Sequence, residues 1–243
     1  MKITHTITAL AVTTMACNAA VTALDSNSFD NKYIGTDIYN GSTMVGEWGQ
    51  QDNAGLSLNG SNLVMENVSA NAWIQLGSGS AWATAVDNSW TIEFSMRVID
   101  DSSPDSQTAL WLDGGVGAGQ RQIILVGEND ITQFTGGASH GAGDNTTGFQ
   151  TIRVAYDHTD GNYYIYRNGV LSNSSPSTTH EGNETGTRLI IGDCCSSMGS
   201  AASDVEIEYV RFDGDGAFSP VPEPSSTALL GLGGLALILR RRK

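Results

Sequence analysis

From Trp90 to Val98 every second residue is apolar, so Trp90, Ile92, Phe94, Met96 and Val98 share one face of an extended strand. The same period of two runs through Phe149–Tyr156 (FQTIRVAY) and Asn162–Arg167 (NYYIYR). Between those segments, Asp157-His158-Thr159-Asp160-Gly161 has the composition of a turn that closes an antiparallel hairpin, and Asn168-Gly169 makes a second tight turn into Val170-Leu171. Short apolar runs at Thr108–Leu112, Gln122–Val126, Arg188–Gly192 and Val205–Phe212 add further strands, as do Leu56–Leu58, Asn62–Glu66 and Ala72–Gln75. Helical periodicity over three turns is confined to the C-terminal tail. Short strands joined by Gly-, Asn- and Ser-rich turns predict an all-β protein, an antiparallel sandwich or barrel, in a single domain over residues 24–219.

Both ends depart from this pattern. Residues 1–23 place Lys2 ahead of a mildly apolar stretch and finish in small residues, with Val21 and Ala23 at the −3 and −1 positions of a cleavage site before Leu24. That layout predicts a secretory signal peptide, removed between Ala23 and Leu24. At the other end, Pro222-Glu223-Pro224 precedes an apolar segment, a predicted helix over 226–239, and the basic tail Arg240-Arg241-Arg242-Lys243. The apolar run Ala228–Leu239 rises about 18 Å as a helix, short of the roughly 30 Å hydrocarbon core, so it makes only a marginal membrane span. The basic cluster after it stays cytoplasmic by the positive-inside rule. Residues 220–243 resemble the PEP-CTERM sorting signal of Gram-negative, exopolysaccharide-producing bacteria. The resemblance implies an exosortase, a membrane cysteine protease, as partner, with cleavage near Pro222-Glu223-Pro224. It also implies a precursor transiently inserted in the inner membrane and a product sorted to the cell surface or extracellular matrix.

Removing these ends changes the charge. The whole chain has 12 bases and 26 acids, a formal −14, but residues 24–222 hold seven bases against 25 acids, a net −18. No basic cluster lies inside the body, so nucleic acid is excluded as a partner. Anionic polymers are poor partners too unless divalent cations bridge them. A neutral or cation-bridged polysaccharide suits this charge better.

The body resembles the concanavalin A-like and laminin-G-like jelly rolls over roughly residues 55–215. The resemblance rests on the order of several short motifs. An aromatic-containing strand, Ser89-Trp90-Thr91-Ile92-Glu93-Phe94, comes first; the hairpin from Arg153-Val154-Ala155-Tyr156-Asp157 to Tyr164-Ile165-Tyr166-Arg167-Asn168-Gly169-Val170 follows. A strand end at Ile191-Gly192 and a last strand with Ile207-Glu208-Tyr209-Val210-Arg211 complete the series. It implies a jelly-roll sandwich and, by analogy of fold, contact with carbohydrate.

Candidate chemistry is sparse. Asp204, Glu206 and Glu208 alternate on one strand, which puts them on one face with neighbours about 6–7 Å apart. Paired carboxylates at a cleft perform glycoside hydrolysis, so Glu206 and Glu208 are weak catalytic candidates for a glycan hydrolase or lyase. Laminarinase-type jelly rolls carry alternating acids, but this run departs from their Glu-x-Asp-x-Glu pattern. The competing reading is a solvent-facing polar side opposite a core face of Val205, Ile207 and Tyr209, with the stem of Arg211. Asp157, Asp160, Asp213 and Asp215 lie in turn-like segments and are candidate ligands for Ca2+, without the spacing of an EF-hand. His140, His158 and His180 stand alone, with no zinc or nucleophile spacing.

Cys194 and Cys195 are adjacent and are the thiols left after signal removal; a vicinal disulfide, inter-chain bridges and free thiols all fit. A vicinal disulfide in that Gly/Ser-rich stretch would form a rigid apolar patch suited to a sugar face. Trp82, flanked by Gly79, Ser80 and Ala83, and Trp111, followed by Asp113-Gly114-Gly115, are the candidate sugar-stacking aromatics, with core packing the alternative for each, and Asp113 is a candidate ligand-binding residue beside Trp111. The expectation is an exported, non-catalytic jelly-roll protein that binds carbohydrate or mediates adhesion. A glycan-cleaving enzyme and a purely structural matrix protein are the rivals.

Overall fold

The computed structural model describes residues 22–51, 55–66, 72–77, 79–85, 89–100, 107–114, 121–172, 174–178, 187–192 and 204–221. The strands are β1 (Thr22–Leu24), β2 (Asn31–Ile34), β3 (Trp48–Gln51), β4 (Gly55–Asn59), β5 (Asn62–Glu66), β6 (Trp73–Leu76), β7 (Trp90–Asp100) and β8 (Thr108–Asp113). They continue with β9 (Arg121–Val126), β10 (Ile131–Gln133), β11 (Gln150–Asp157), β12 (Asn162–Arg167), β13 (Val170–Leu171), β14 (Leu189–Gly192), β15 (Asp204–Asp213) and β16 (Phe218–Pro220). Single helical turns stand at Gly35–Ile38 (α1) and Ala81–Ala85 (α2).

All of these strands but β1 and β16, which pair separately, form two antiparallel sheets. A six-stranded sheet runs β10-β9-β8-β14-β6-β3, and an eight-stranded sheet runs β13-β12-β11-β7-β15-β5-β4 with β2 added beside β15. Their inner faces share one core. The larger sheet contributes Trp90, Ile92, Phe94, Met96 and Val98 of β7, with Ile152 and Val154 of β11. The smaller supplies Leu110 and Leu112 of β8, Ile124 and Val126 of β9, and Leu189 and Ile191 of β14. The antiparallel sandwich expected from the alternation, in the jelly-roll form that the resemblance implied, is therefore the observed fold. Both predicted hairpins form. Asn168 and Gly169 take φ of 49° and 78°, the left-handed pair that a two-residue turn between β12 and β13 requires.

One strand departs from strict alternation. β15 shifts register against β7 between Ile207 and Tyr209, and such a bulge turns the following side chains to the opposite face. Val210 and Phe212 enter the core. Tyr209 and Arg211, expected on the core side with Val205 and Ile207, face outward instead: the Tyr209 hydroxyl donates to Glu93 Oε1 at 3.0 Å and the Arg211 guanidinium lies 3.7 Å from the Tyr209 ring centroid.

The outer face of the larger sheet is partly covered. The chain from β1 to Phe29 crosses it, and β1 pairs in parallel with β16, Leu24 standing opposite Pro220. Beneath this segment lies an ion pair between Arg153 and Glu93, each 1% exposed, with Nη2 to Oε2 at 2.6 Å. Arg153 also donates to the Leu24 carbonyl at 2.8 Å and stands 4.9 Å from the Phe29 ring centroid. The expected cleavage point between Ala23 and Leu24 thus falls inside a paired strand. Among the described residues no helix is long and apolar enough to cross a membrane; the apolar segment 226–239 lies outside them.

Candidate functional site

A cleft of about 600 Å³ opens on the outer face of the larger sheet, lined by Asp25, Ser26, Glu93, Thr151, Asn168 and Val170, with Pro220 and Val221 on its rim. Each wall follows from local structure. The β1–β16 pair brings the two ends of the domain to one side, and the Asn168-Gly169 turn raises the opposite rim. Val170, 70% exposed, projects there. Glu93 forms part of the floor, its Oε2 accepting from Arg153 and Ser26 and its Oε1 from Tyr209. Burial and the Glu93 charge push the Tyr209 phenol up to about 12, so it remains a donor. Hydroxyl, amide and carboxylate groups thus stand beside the apolar Val170, Pro220 and Val221. Sequence reading missed this cleft because its walls are distant in the chain and its acid, Glu93, sits on the polar side of an ordinary alternating strand.

The acidic run of β15 does not make a catalytic pair. Glu206 is 1% exposed and accepts from Asn59 Nδ2 at 3.0 Å, Asn62 Nδ2 at 2.7 Å, and Arg97 Nε and Nη2 at 2.8 and 2.6 Å. Burial alone would raise its pKa, but the bonds from Asn62, Arg97 and Asn59 and the Arg97 charge outweigh it and hold the carboxyl below its ordinary value. Such a group stays ionised and is no general acid. Glu208 is exposed at the bulge and accepts from Ser95 Oγ at 2.6 Å. Because the folded pKa of Glu206 is depressed, its stabilisation is complete above the unfolded carboxyl value, about 4.3. It is lost as pH falls through the folded value. Glu206→Gln is therefore expected to cost about 1–3 kcal/mol in urea unfolding at pH 7, a gap that narrows as pH falls below the unfolded carboxyl value. A gap that stays constant from pH 7 down to the onset of acid unfolding would refute this role.

The aromatic candidates are displaced from their expected roles. Trp82 is fully buried and corrects the expectation of an exposed sugar platform. Ser80 Oγ accepts from Ala83 N at the start of α2, and the single turn aims Trp82 inward, where its Nε1 donates to the Asp113 carbonyl at 3.0 Å. Trp111 is half-buried, one ring face lying 4.2 Å from the Arg121 guanidinium, while its Nε1 donates to Asp113 Oδ1 at 2.8 Å. Asp113 is itself buried and paired with Arg121 and, at 3.5 Å, with Arg188. Both oxygens of that carboxylate are engaged by Trp111, Arg121 and Arg188, in place of the expected ligand. Gly114 follows because a Cβ there would lie 2.2 Å from Trp90 Nε1. Cys194 and Cys195 lie outside the described residues, as do Pro222, Glu223, Pro224, Arg240, Arg241 and Arg242.

Of the cation candidates, Asp157 and Asp160 serve their turn. Asp157 Oδ1 accepts from Thr159 N at 2.8 Å, while Asp160 accepts from Asn162 N at 2.9 Å and the Tyr164 hydroxyl at 2.8 Å. Asp213 and Asp215 do converge, joined by Asp30 from the N-terminal segment, with one oxygen of each within 4.8 Å of the others. Burial raises the Asp213 carboxyl, and the charges of Asp30 and Asp215 add to that against bonds from two backbone N–H groups. Three carboxylates supply only part of the six to eight oxygens that calcium takes, so a bound cation would need carbonyl or water ligands besides. Asp30 was missed because it is distant from the pair in sequence.

Residues 220–243 match the PEP-CTERM protein-sorting motif. The chain carries that sorting signal. The PEP-CTERM segment marks the protein for export and sorting to the cell surface and implies processing by an exosortase-type system. It begins at Pro220, within β16, and its first two residues, Pro220 and Val221, line the cleft. No curated protein matches the chain in sequence. Among solved structures it is similar to the carbohydrate esterase vb_24B_21 from Shiga toxin-encoding bacteriophage phi24B, at 15% identity and a TM-score of 0.53, covering 77% of this chain and 97% of that one. It is also similar to the Emp47p carbohydrate recognition domain, at 16% identity and a TM-score of 0.50, covering 82% and 100%. Trypanosoma rangeli sialidase in complex with sialic acid matches at 11% identity and a TM-score of 0.50, covering 66% of this chain and 26% of the sialidase. At these identities the likeness is one of fold alone, an antiparallel jelly-roll sandwich.

Proposed function

We propose that this is an exported, surface- or matrix-sorted, non-catalytic jelly-roll protein that binds neutral or cation-bridged polysaccharide in the cleft between Asp25 and Val221. The observation that carries the reading is the lining of that cleft, where hydroxyl, amide and carboxylate groups stand beside Val170 and Pro220. Glycan-recognising neighbours of the same fold support it. The net −18 of the body favours an uncharged or cation-bridged polymer over an anionic one. Against a hydrolase or lyase stands the engagement of Glu206 by Asn59, Asn62 and Arg97. The Gram-negative source belongs to the same proposal.

Calorimetric titration of the full chain, in a detergent without sugar headgroups, against neutral oligosaccharides tests the site. Thr151→Val removes a cleft hydroxyl, and Asn168→Gly removes an amide while keeping a residue that accepts the left-handed turn. Each is expected to weaken binding by about tenfold, with Glu208→Gln neutral. Loss of binding in Glu208→Gln with the two cleft variants unchanged would move the site to β15 and refute the cleft.

A further inference from the structure

A second cavity, of about 330 Å³, lies on the other side of the β12–β13 turn and is lined by His140, Gly141, Arg167, Val170, Leu171 and Ser172. Its volume is near the lower end of the range for small-ligand pockets, about 300–1,000 Å³. His140 is 1% exposed, yet its Nε2 has no hydrogen-bond partner. Burying a polar atom unpaired is costly, and His140, which carries one, lines the cavity. The other ring nitrogen, Nδ1, lies 3.0 Å from Ser172 Oγ, which also accepts from Ser174 N at 3.1 Å. Burial lowers the His140 pKa to about 4 despite the nearby Asp130 charge, so the ring is neutral at pH 7.

Arg167 forms no ion pair among the described residues, but its donors are engaged by neutral acceptors. Nη1 donates to the Gly141 carbonyl, Nη2 to the Gly143 carbonyl at 3.1 Å and to Asn145 Oδ1 at 2.5 Å, and Nε to Gln150 Oε1 at 3.4 Å. The loop around His140 and Gly141 is thereby fixed against β12. Val170 and Leu171 give the cavity an apolar wall. We infer that this cavity is a second binding site, for one neutral sugar ring or compact polyol, whose hydroxyl pairs with His140 Nε2 while its C–H face packs on Val170 and Leu171. A hydroxyl both donates and accepts, so it satisfies Nε2 in either tautomer set by Ser172. A carboxylate can only accept, so it satisfies Nε2 in one tautomer alone. The ligand class rests on the glycan reading above; the location does not depend on the first cleft.

The test is two-dimensional NMR of the ¹⁵N-labelled full chain in the same sugar-free detergent, following the His140 ring nitrogens and the Thr151 and Asn168 amides. The probes are glucose, galactose, mannose and N-acetylglucosamine, with glucuronate as the anionic control. At least one neutral sugar is expected to shift His140 Nε2 saturably. In His140→Phe, which keeps an aromatic ring but removes Nε2, the affinity read at the Leu171 amide should fall by about tenfold. Shifts confined to Thr151 and Asn168 would overturn the second site and leave the first cleft standing. Shifts at His140 without Thr151 would support the second site and remove the first. A His140 response to glucuronate alone, or to none of the five probes in wild-type protein, would overturn the inference whether or not His140→Phe folds.

Discussion

Arg153→Met is expected to destabilise the protein by about 3–5 kcal/mol, because it leaves the Glu93 carboxylate buried without its counter-charge. Both partners are 1% exposed and sit under the N-terminal segment, so water cannot replace the lost guanidinium without lifting that segment away. Four contacts fail together: the pair with Glu93, the donations to the Leu24 carbonyl and to Ser26 Oγ, and the stacking near Phe29. For a domain of this size the change corresponds to a fall in Tm on the order of 10 °C. The double variant Arg153→Met with Glu93→Gln is expected to be milder than Arg153→Met alone, since no uncompensated charge remains. Thermal and urea unfolding of the three proteins measures this. An Arg153→Met protein within about 1 kcal/mol of wild type would show that the N-terminal segment does not seal the pair. Because that segment also forms one wall of the cleft, the same variant should loosen the cleft.

Trp82→Ala should cost about 3–5 kcal/mol, the range for emptying a large aromatic site in a packed core. Trp82 lies 5.3 Å, centroid to centroid, from both Trp90 and Phe212, and its Nε1 donates to the Asp113 carbonyl. It therefore ties α2 to the inner faces of both sheets. Trp82→Phe keeps most of the apolar volume but loses the donor, and should fall between wild type and Trp82→Ala. Unfolding midpoints read beside glycan affinity separate the two roles considered for this residue. A core residue lowers the midpoint. Unchanged stability with lost glycan affinity would restore the surface platform that the sequence suggested and contradict the burial.

Alternation made the sheets legible: β7, β11 and β12 show period two cleanly, and each has one face in the core. Turn chemistry marked both hairpins for the same reason, since few residues other than Asn and Gly accept the φ values found at 168 and 169. Features that depend on a single residue's phase were not legible. The bulge at Glu208 leaves no trace in composition, yet it exchanges the faces of Tyr209 and Val210. The turn at α2 is too short for a helical period to show, so the orientation of Trp82 was hidden. Strands such as β1, β2 and β16, with only three or four residues each, carry too few positions for a pattern. Sites assembled from distant segments were invisible for a related reason. Asp30 joins Asp213 and Asp215, Glu93 meets Arg153 and Tyr209, and His140 meets Ser172 only through the fold. The sorting signal is the opposite case: a contiguous linear motif, read by other proteins as sequence, is legible as sequence.

Binding without turnover distinguishes an exported lectin-like protein from a glycan-cleaving one. The full chain, incubated with a panel of neutral polysaccharides, is followed at once by calorimetry and by the appearance of reducing ends and unsaturated products. Saturable binding to at least one neutral glycan, with product formation no faster than in protein-free controls, is the expected result. Product formation that disappears in Glu206→Gln would contradict it.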